Sequence, residues 1–182
     1  MTKVRRVAFV FVGLSFVTLQ GCATLPFSKG REPLPHFSRV DDHLTRGGQP
    51  SPEGFRQLAK MGVKTVVDLR AEHTGRKERE LVESLGMRWV HLPIFPGGRP
   101  SDKQVVAFLD AAQDPDRQPV FVHCQRGKHR TGTLIAIYRI VVEGWPPERS
   151  YADARSLGLL RSSTLRDFIL HEAEQRFVRK AP

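Results

Sequence analysis

An α/β fold, with a mostly parallel central sheet flanked by helices, is what this chain predicts, and three observations carry the expectation. Short β-branched and aromatic runs recur at 43–46, 63–69, 89–92 and 119–123, each with strand rather than helix character. Longer stretches with apolar residues at helical spacing separate them. Strict alternation of the two implies βαβ units, hence parallel strands covered on both faces, with any ligand at their carboxyl ends.

The elements follow in order. The strand at 43–46 passes through Gly47 and Gly48 to Ser51, an N-cap with Pro52 at the first helical position. Phe55, Leu58, Ala59 and Met61 form that helix's apolar stripe, and Gly62 stops it. A second strand occupies 63–69, and a helix over 76–85 closes at Gly86. The third strand, 89–92, precedes a helix over 101–112 with Val105, Val106, Phe108 and Leu109 on its inner side. The fourth strand, at 119–123, enters a tight loop and then a helix over 131–142, where Leu134, Ile135, Ile137, Tyr138 and Val141 give a broad apolar face. After a break at Gly144-Trp145-Pro146-Pro147 come a short helix at 148–156 and a last one from 163 to about 177, carrying Leu165, Phe168, Ile169 and Phe177.

The chemistry concentrates in one segment, His123-Cys124-Gln125-Arg126-Gly127-Lys128-His129-Arg130-Thr131-Gly132. A loop between a strand and a helix points its backbone N–H groups inward, and the helix start adds roughly half a positive charge. A thiol placed there falls from about 8.5 to roughly 3.5–7.5, so Cys124 is expected to be a nucleophilic thiolate. Arg130 can close its planar fork over a phosphoryl group, and Gly127 allows the turn and the close approach of the amides. Thr131 can donate its hydroxyl to the sulfur. Gln125, Arg126 and Lys128 complete the expected phosphate-binding set, the two cations widening the positive field, while His123 orients the loop. A covalent phosphocysteine, made and broken in two steps, is the expected intermediate.

The segment resembles the active-site signature of the cysteine-dependent tyrosine and dual-specificity phosphatases, and its filling is similar to the atypical dual-specificity branch of plants, fungi and bacteria. Leu44-Thr45-Arg46-Gly47-Gly48-Gln49-Pro50-Ser51 and Val63-Lys64-Thr65-Val66-Val67-Asp68-Leu69-Arg70 resemble that branch's opening strands. The resemblance implies a dual-specificity-phosphatase-like fold over 37–182. It also implies phosphorylated proteins, inositol phosphates or lipid headgroups as substrates. A proton-donating aspartate on an upstream loop is implied too. The corresponding stretch, 92–102, offers only Asp102, and Ser101-Asp102-Lys103-Gln104 also spells a capping box. His129, with an ordinary pKa of about 6.5, is the alternative acid.

The N-terminus carries a second signal. Lys3, Arg5 and Arg6 precede an apolar run at 7–19 and then Leu19-Gln20-Gly21-Cys22. The run is shorter than the ~20 residues of a membrane span and suits a signal-peptide core. Its end resembles the lipobox of bacterial lipoproteins. The expectation is a cleaved leader at 1–21, lipid on Cys22, and a proline-rich tether over 22–36. Ala23 after the cysteine resembles the outer-membrane pattern, so an exported protein facing the periplasm is expected, anchored through lipid. Losing the leader lowers the formal net charge from +10 to +7. The remaining excess is scattered and lacks aromatic interleaving, which points to anionic substrates rather than nucleic acid. No metal-ligand spacing occurs and no cofactor is expected. Two other readings share the cysteine loop: a rhodanese-like sulfurtransferase, and a catalytically poor phosphate-binding lipoprotein.

Overall fold

The computed structural model describes residues 32–72 and 75–173. The expected leader, Cys22 and most of the tether lie outside them, as does Phe177. Among the described residues no helix is long and apolar enough to cross a membrane.

Five strands form one sheet: β1 (Ser38–Arg39), β2 (Leu44–Gly47), β3 (Thr65–Arg70), β4 (Arg88–Ile94) and β5 (Val120–His123), in the spatial order β1-β2-β5-β3-β4. Pairings of β2 with β5, β5 with β3 and β3 with β4 are parallel; the short β1 adds antiparallel to β2. Among the described residues six helices accompany them: α1 (Pro52–Lys60), α2 (Arg76–Ser84), α3 (Asp102–Gln113), α4 (His129–Val141), α5 (Pro147–Ser156) and α6 (Ser163–Asp167), the last continued by a π-helical turn at Phe168–Glu172.

Side-chain alternation along β5 divides the core in two. Phe121 faces Phe55, Leu58 and Val82 of α1 and α2. Val120 and Val122 face the opposite layer, where Phe108, Leu134, Ile137 and Phe168 pack. Helix α4 lies among α3, α5 and the sheet and is buried nearly all round, from Arg130 to Tyr138. That explains why its sequence is apolar on more than one face. Ser150 Oγ donates to Ala136 O at 2.7 Å, and Arg139 meets Asp153 at 3.3 Å, fixing α5 on α4.

Two expectations need correction. The last five residues assigned to the tether belong to the domain. The Pro33 and Pro35 carbonyls accept from Ser51 N at 3.0 Å and Gly48 N at 2.7 Å, and Leu34 and Phe37 pack on the α1–α2 core. Prolines lack a donor but keep the acceptor, so a proline-rich stretch can still dock by its carbonyls. Gly54 permits this approach, since a Cβ there would come within 2.0 Å of Pro33 O. The helix of the cysteine loop also starts two residues earlier than expected, at His129, because the loop turns within Cys124–Lys128.

Candidate active site

All four parallel strands end at one edge, and the residues following them build the site. Gly47 ends β2 and Gly48 follows it, Glu72 follows β3, Pro96 and Gly97 follow β4, and Cys124 follows β5. The cysteine loop is pinned to the end of β2 by backbone contact. Gln49 N donates to Gln125 O at 3.2 Å. Gly127 has φ +68°, and a Cβ there would lie 2.4 Å from the Gly47 carbonyl carbon. No side chain fits between these two backbones, and the turn itself requires the left-handed conformation.

Under the loop sits a charge that sequence reasoning did not single out. Arg46 is 2 % exposed, and its Nη2 donates to the Gly127 carbonyl. Burial lowers its pKa, attraction to Cys124 and Asp153 offsets part of that, and Arg139 opposes it. Nη1 has no hydrogen-bond partner among the described residues. A guanidinium remains ionised under such conditions, so a fixed positive charge lies behind the sulfur. The sequence places Arg46 at the end of a strand, and its burial is not legible there.

Cys124 opens onto a hollow of about 600 Å³. The loop supplies one side with Gln125, Arg126, His129 and Arg130. Glu72, Pro96 and Gly97 face them, and Leu160, Arg161 and Ser162 from the α5–α6 connection close the rim. Burial pushes the Cys124 thiol up. The Thr131 hydroxyl, the amides of Thr131 and Arg126 and the charge of Arg130 outweigh it, so the thiol rests below its ordinary value. Thr131 is fully buried and its hydroxyl makes no hydrogen bond of regular geometry among the described residues, which leaves it free to turn toward the sulfur.

Arg130 is clamped by Glu72. Nη1 and Nη2 each lie 2.8 Å from a Glu72 oxygen, and Nη1 also reaches Ile94 O at 3.2 Å. The hydrogen bond to Arg130, then a backbone amide bond and the charge of Arg130, hold the Glu72 carboxyl at about 2 despite some burial. Glu72 is therefore ionised and serves as no proton donor at neutral pH. Its position just after a predicted strand was the only sequence signal it gave.

His123 is fully buried and stacks on Phe121 with ring centroids 5.7 Å apart. Its Nε2 donates to Glu78 Oε1 at 2.9 Å; a carboxylate can only accept, which fixes the tautomer. Burial pushes the Glu78 carboxyl up, but His123, Arg70 and Gln49 reverse this and hold it at about 2. Asp68, Glu78 and His123 bring possible metal-ligand atoms within 4.8 Å of one another. The Arg70 guanidinium already bridges the two carboxylates, at 2.8 Å from Asp68 and 2.6 Å from Glu78, and supplies their positive charge.

The remaining predicted residues are placed as follows. His129 lines the hollow, and burial, then Arg126, Arg130 and Lys128, lower its pKa. Asp102 stands outside the hollow's walls, at the first position of α3, where Ser101 and Gln104 complete the capping box. The capping reading accounts for its place in the sequence. Lys128 is also outside the walls; its stem packs over Gly158, where a Cβ would come within 2.9 Å of Lys128 Cδ.

A parallel sheet edge, a backbone-lined loop, a depressed thiol at a helix start and an arginine held over it define a site of the cysteine-dependent phosphatase class. The family model described as "DSP-PTPase phosphatase fused to NAD+ Kinase" matches residues 30–170. The chain belongs to this DSP-PTPase family. It is 30% identical over 137 residues to the dual specificity protein phosphatase TpbA of Pseudomonas aeruginosa, covering 75% of this chain and 61% of that protein. It is likewise 30% identical over 118 residues to the inositol diphosphatase DSP3 of Arabidopsis thaliana, covering 62% and 57%. The chain thus spans roughly three fifths of the length of these relatives. A crystal structure of P. aeruginosa TpbA in complex with pTyr superposes with a TM-score of 0.60 at 26% identity, covering 84% of this chain and 88% of the other. The core catalytic domain of the PP-IP phosphatase SIW14 from S. cerevisiae gives 0.69 at 22% identity, over 81% and 88%, a likeness of fold. Family membership leaves the rhodanese-like reading without support.

Proposed function

We propose that this protein hydrolyses phosphomonoesters through a phosphocysteine on Cys124. The carrying observation is the thiol held below its ordinary value before the start of α4, with Arg130 fixed by Glu72 in the same hollow. A phosphoryl dianion enters the hollow and is held by loop amides and by Arg130. The thiolate attacks phosphorus, the S–P bond forms, and the bond to the leaving oxygen breaks. His129, in the same hollow, gives that oxygen a proton once the bound dianion has raised its basicity. Neutral His129 then takes a proton from water, whose oxygen attacks phosphorus. The S–P bond breaks, inorganic phosphate leaves, and Thr131 steadies the departing thiolate. Asp102, outside the hollow, is the weaker choice of acid. Leaving groups of low pKa need little protonation, which favours aryl phosphates and phosphoanhydrides.

The relatives' names support phosphotyrosine and inositol diphosphates as substrate classes. Arg126, His129 and Arg161 around the mouth favour a multiply charged substrate. The test is release of phosphate from an aryl phosphate, with reductant present. Wild type should turn over and form a labelled phosphoenzyme, while Cys124→Ser should do neither. Binding by both proteins with turnover by neither would leave the catalytically poor phosphate binder in its place.

For location, the reading is an exported protein held by lipid on Cys22, with the leader at 1–21 removed. Lys3, Arg5 and Arg6, the apolar run at 7–19 and Leu19-Gln20-Gly21-Cys22 support it. Two or more acyl chains, at about 0.8 kcal/mol per buried CH₂, anchor a protein stably. Labelled palmitate should enter the membrane-fraction protein and be lost in Cys22→Ala; equal labelling of both rejects the anchor.

A further inference from the structure

A second hollow, of about 450 Å³, opens beside the catalytic one. Its walls are Tyr151, Arg155, Arg161, Ser162, Ser163 and Arg166. Arg161 and Ser162 belong to both hollows, so the two share a wall.

The chemistry of these walls is one-sided: three guanidinium groups and three hydroxyls, with no carboxylate among them. Among the described residues, little balances those charges. Arg161 makes no ion pair among the described residues. Among the described residues Arg166 meets only Asp167, at 3.7 Å with both side chains more than half exposed, a pair of small worth. Arg155 spends one N–H on the Leu159 carbonyl, which orients the guanidinium without neutralising it. The scaffold is firm: Arg139 and Arg149 stack on Trp145 at 4.1 and 3.8 Å from its ring centroid, next to the start of α5. Gathering like charges costs self-repulsion unless an anion joins them. Forked guanidinium donors with nearby hydroxyls suit a tetrahedral oxyanion.

We propose that this hollow is a subsite for a second phosphate on the same substrate molecule, whose first phosphate sits over Cys124. The proposal rests on the phosphatase reading and deepens it. The substrate class is a compact molecule bearing at least two phosphates, such as an inositol polyphosphate or the same headgroup on a lipid. Arg155 and Arg166 act as positioning residues for the remote phosphate, and Arg161 bridges the two sites.

Binding to the Cys124→Ser protein tests this without turnover. Calorimetry compares phenyl phosphate with a series of inositol bisphosphates that differ in phosphate spacing. At least one bisphosphate should bind ten times more tightly than the monophosphate, or better. Adding Arg155→Lys with Arg166→Gln should cut that ratio at least fivefold, and Arg166→Gln alone, at an exposed position, should cut it measurably. A ratio near one in the parent both for every soluble bisphosphate and for the bisphosphate headgroup in phosphatidylcholine vesicles, or a ratio unmoved by the arginine changes in either form, overturns the subsite. A singly phosphorylated tyrosine peptide that outcompetes every bisphosphate also overturns it. Dependence on the arginines seen with soluble bisphosphates assigns a free substrate. Dependence seen only with the bisphosphate headgroup in phosphatidylcholine vesicles assigns a lipid, and both support the subsite. Failure of wild type to hydrolyse any phosphate while the binding ratio responds as expected would sink the phosphatase reading and leave the subsite standing.

Discussion

Arg130 and Glu72 meet end to end. Two bonds of 2.8 Å join the terminal nitrogens of the guanidinium to the two carboxylate oxygens. The carbonyl of Ile94, at 3.2 Å, takes a further Nη1 proton. That leaves Nε and the neighbouring Nη2 proton, the side-on fork of the guanidinium, for a bound phosphoryl group. The carboxylate thus orients the cation without occupying the face that chemistry needs.

Glu72→Gln should therefore lower kcat/KM on an aryl phosphate by about tenfold to a hundredfold, the scale of a misplaced catalytic group. Most of the loss should fall in kcat, because the loop amides still hold the phosphate. Steady-state kinetics on the variant check this, and unchanged kcat would show that Arg130 needs no clamp.

Cys124 should titrate below an ordinary thiol, so iodoacetamide alkylation should gain rate with rising pH and level off earlier than for a free cysteine. The kcat/KM profile should rise through the same pH range, since only the thiolate attacks. Thr131→Ala removes the first of the influences opposing burial and should move the midpoint up by about one unit, equivalent to ~1.4 kcal/mol. An unmoved midpoint would place the stabilisation in the backbone amides alone.

Much of this arrangement was legible in the chain, for reasons that differ from element to element. The runs that became β2, β3, β4 and β5 announced themselves by β-branched residues, and Ser51 and Ser101 marked their helix starts by capping chemistry, which is local. Cys124, His129 and Arg130 converge because one short loop carries them. Glu72, Arg46 and Arg161 reach the same place from distant parts of the chain, and no local pattern encodes that meeting. The prolines at 33 and 35 misled for a related reason: composition alone speaks for an extended tether, whereas their docking depends on Gly54 and Gly48 on the far partner. Asp102 carried two readings in the sequence, and it stands where the capping pattern put it, at the first position of α3 and outside the hollow's walls.

Glu78 links stability to pH. Its carboxyl is held at about 2 in the folded protein against an ordinary 4.5. A depressed acid contributes stability above its unfolded pKa and loses it as pH falls through the folded one. The contribution should be complete above about pH 4.5 and vanish near pH 2, with a magnitude of about 3 kcal/mol. Glu78→Gln should lower unfolding free energy by that order at pH 7, and the gap between variant and wild type should close on acidification. A gap independent of pH would assign the loss to packing around His123 instead.

Arg46 offers the sharpest separation of charge from shape. Behind the loop, it supplies both a hydrogen bond to the Gly127 carbonyl and a positive charge that Cys124 feels. Arg46→Met keeps the apolar stem and removes both; Arg46→Lys keeps the charge but gives up the planar fork. If the charge matters to the sulfur, the thiol midpoint should rise by about one unit in Met and by much less in Lys. If Arg46 only shapes the loop, both variants should lose activity alike while the thiol midpoint stays where it was. The alkylation profile decides between them, and it does so even where kcat falls in both, because the titration reports the field at the sulfur and not the rate of turnover.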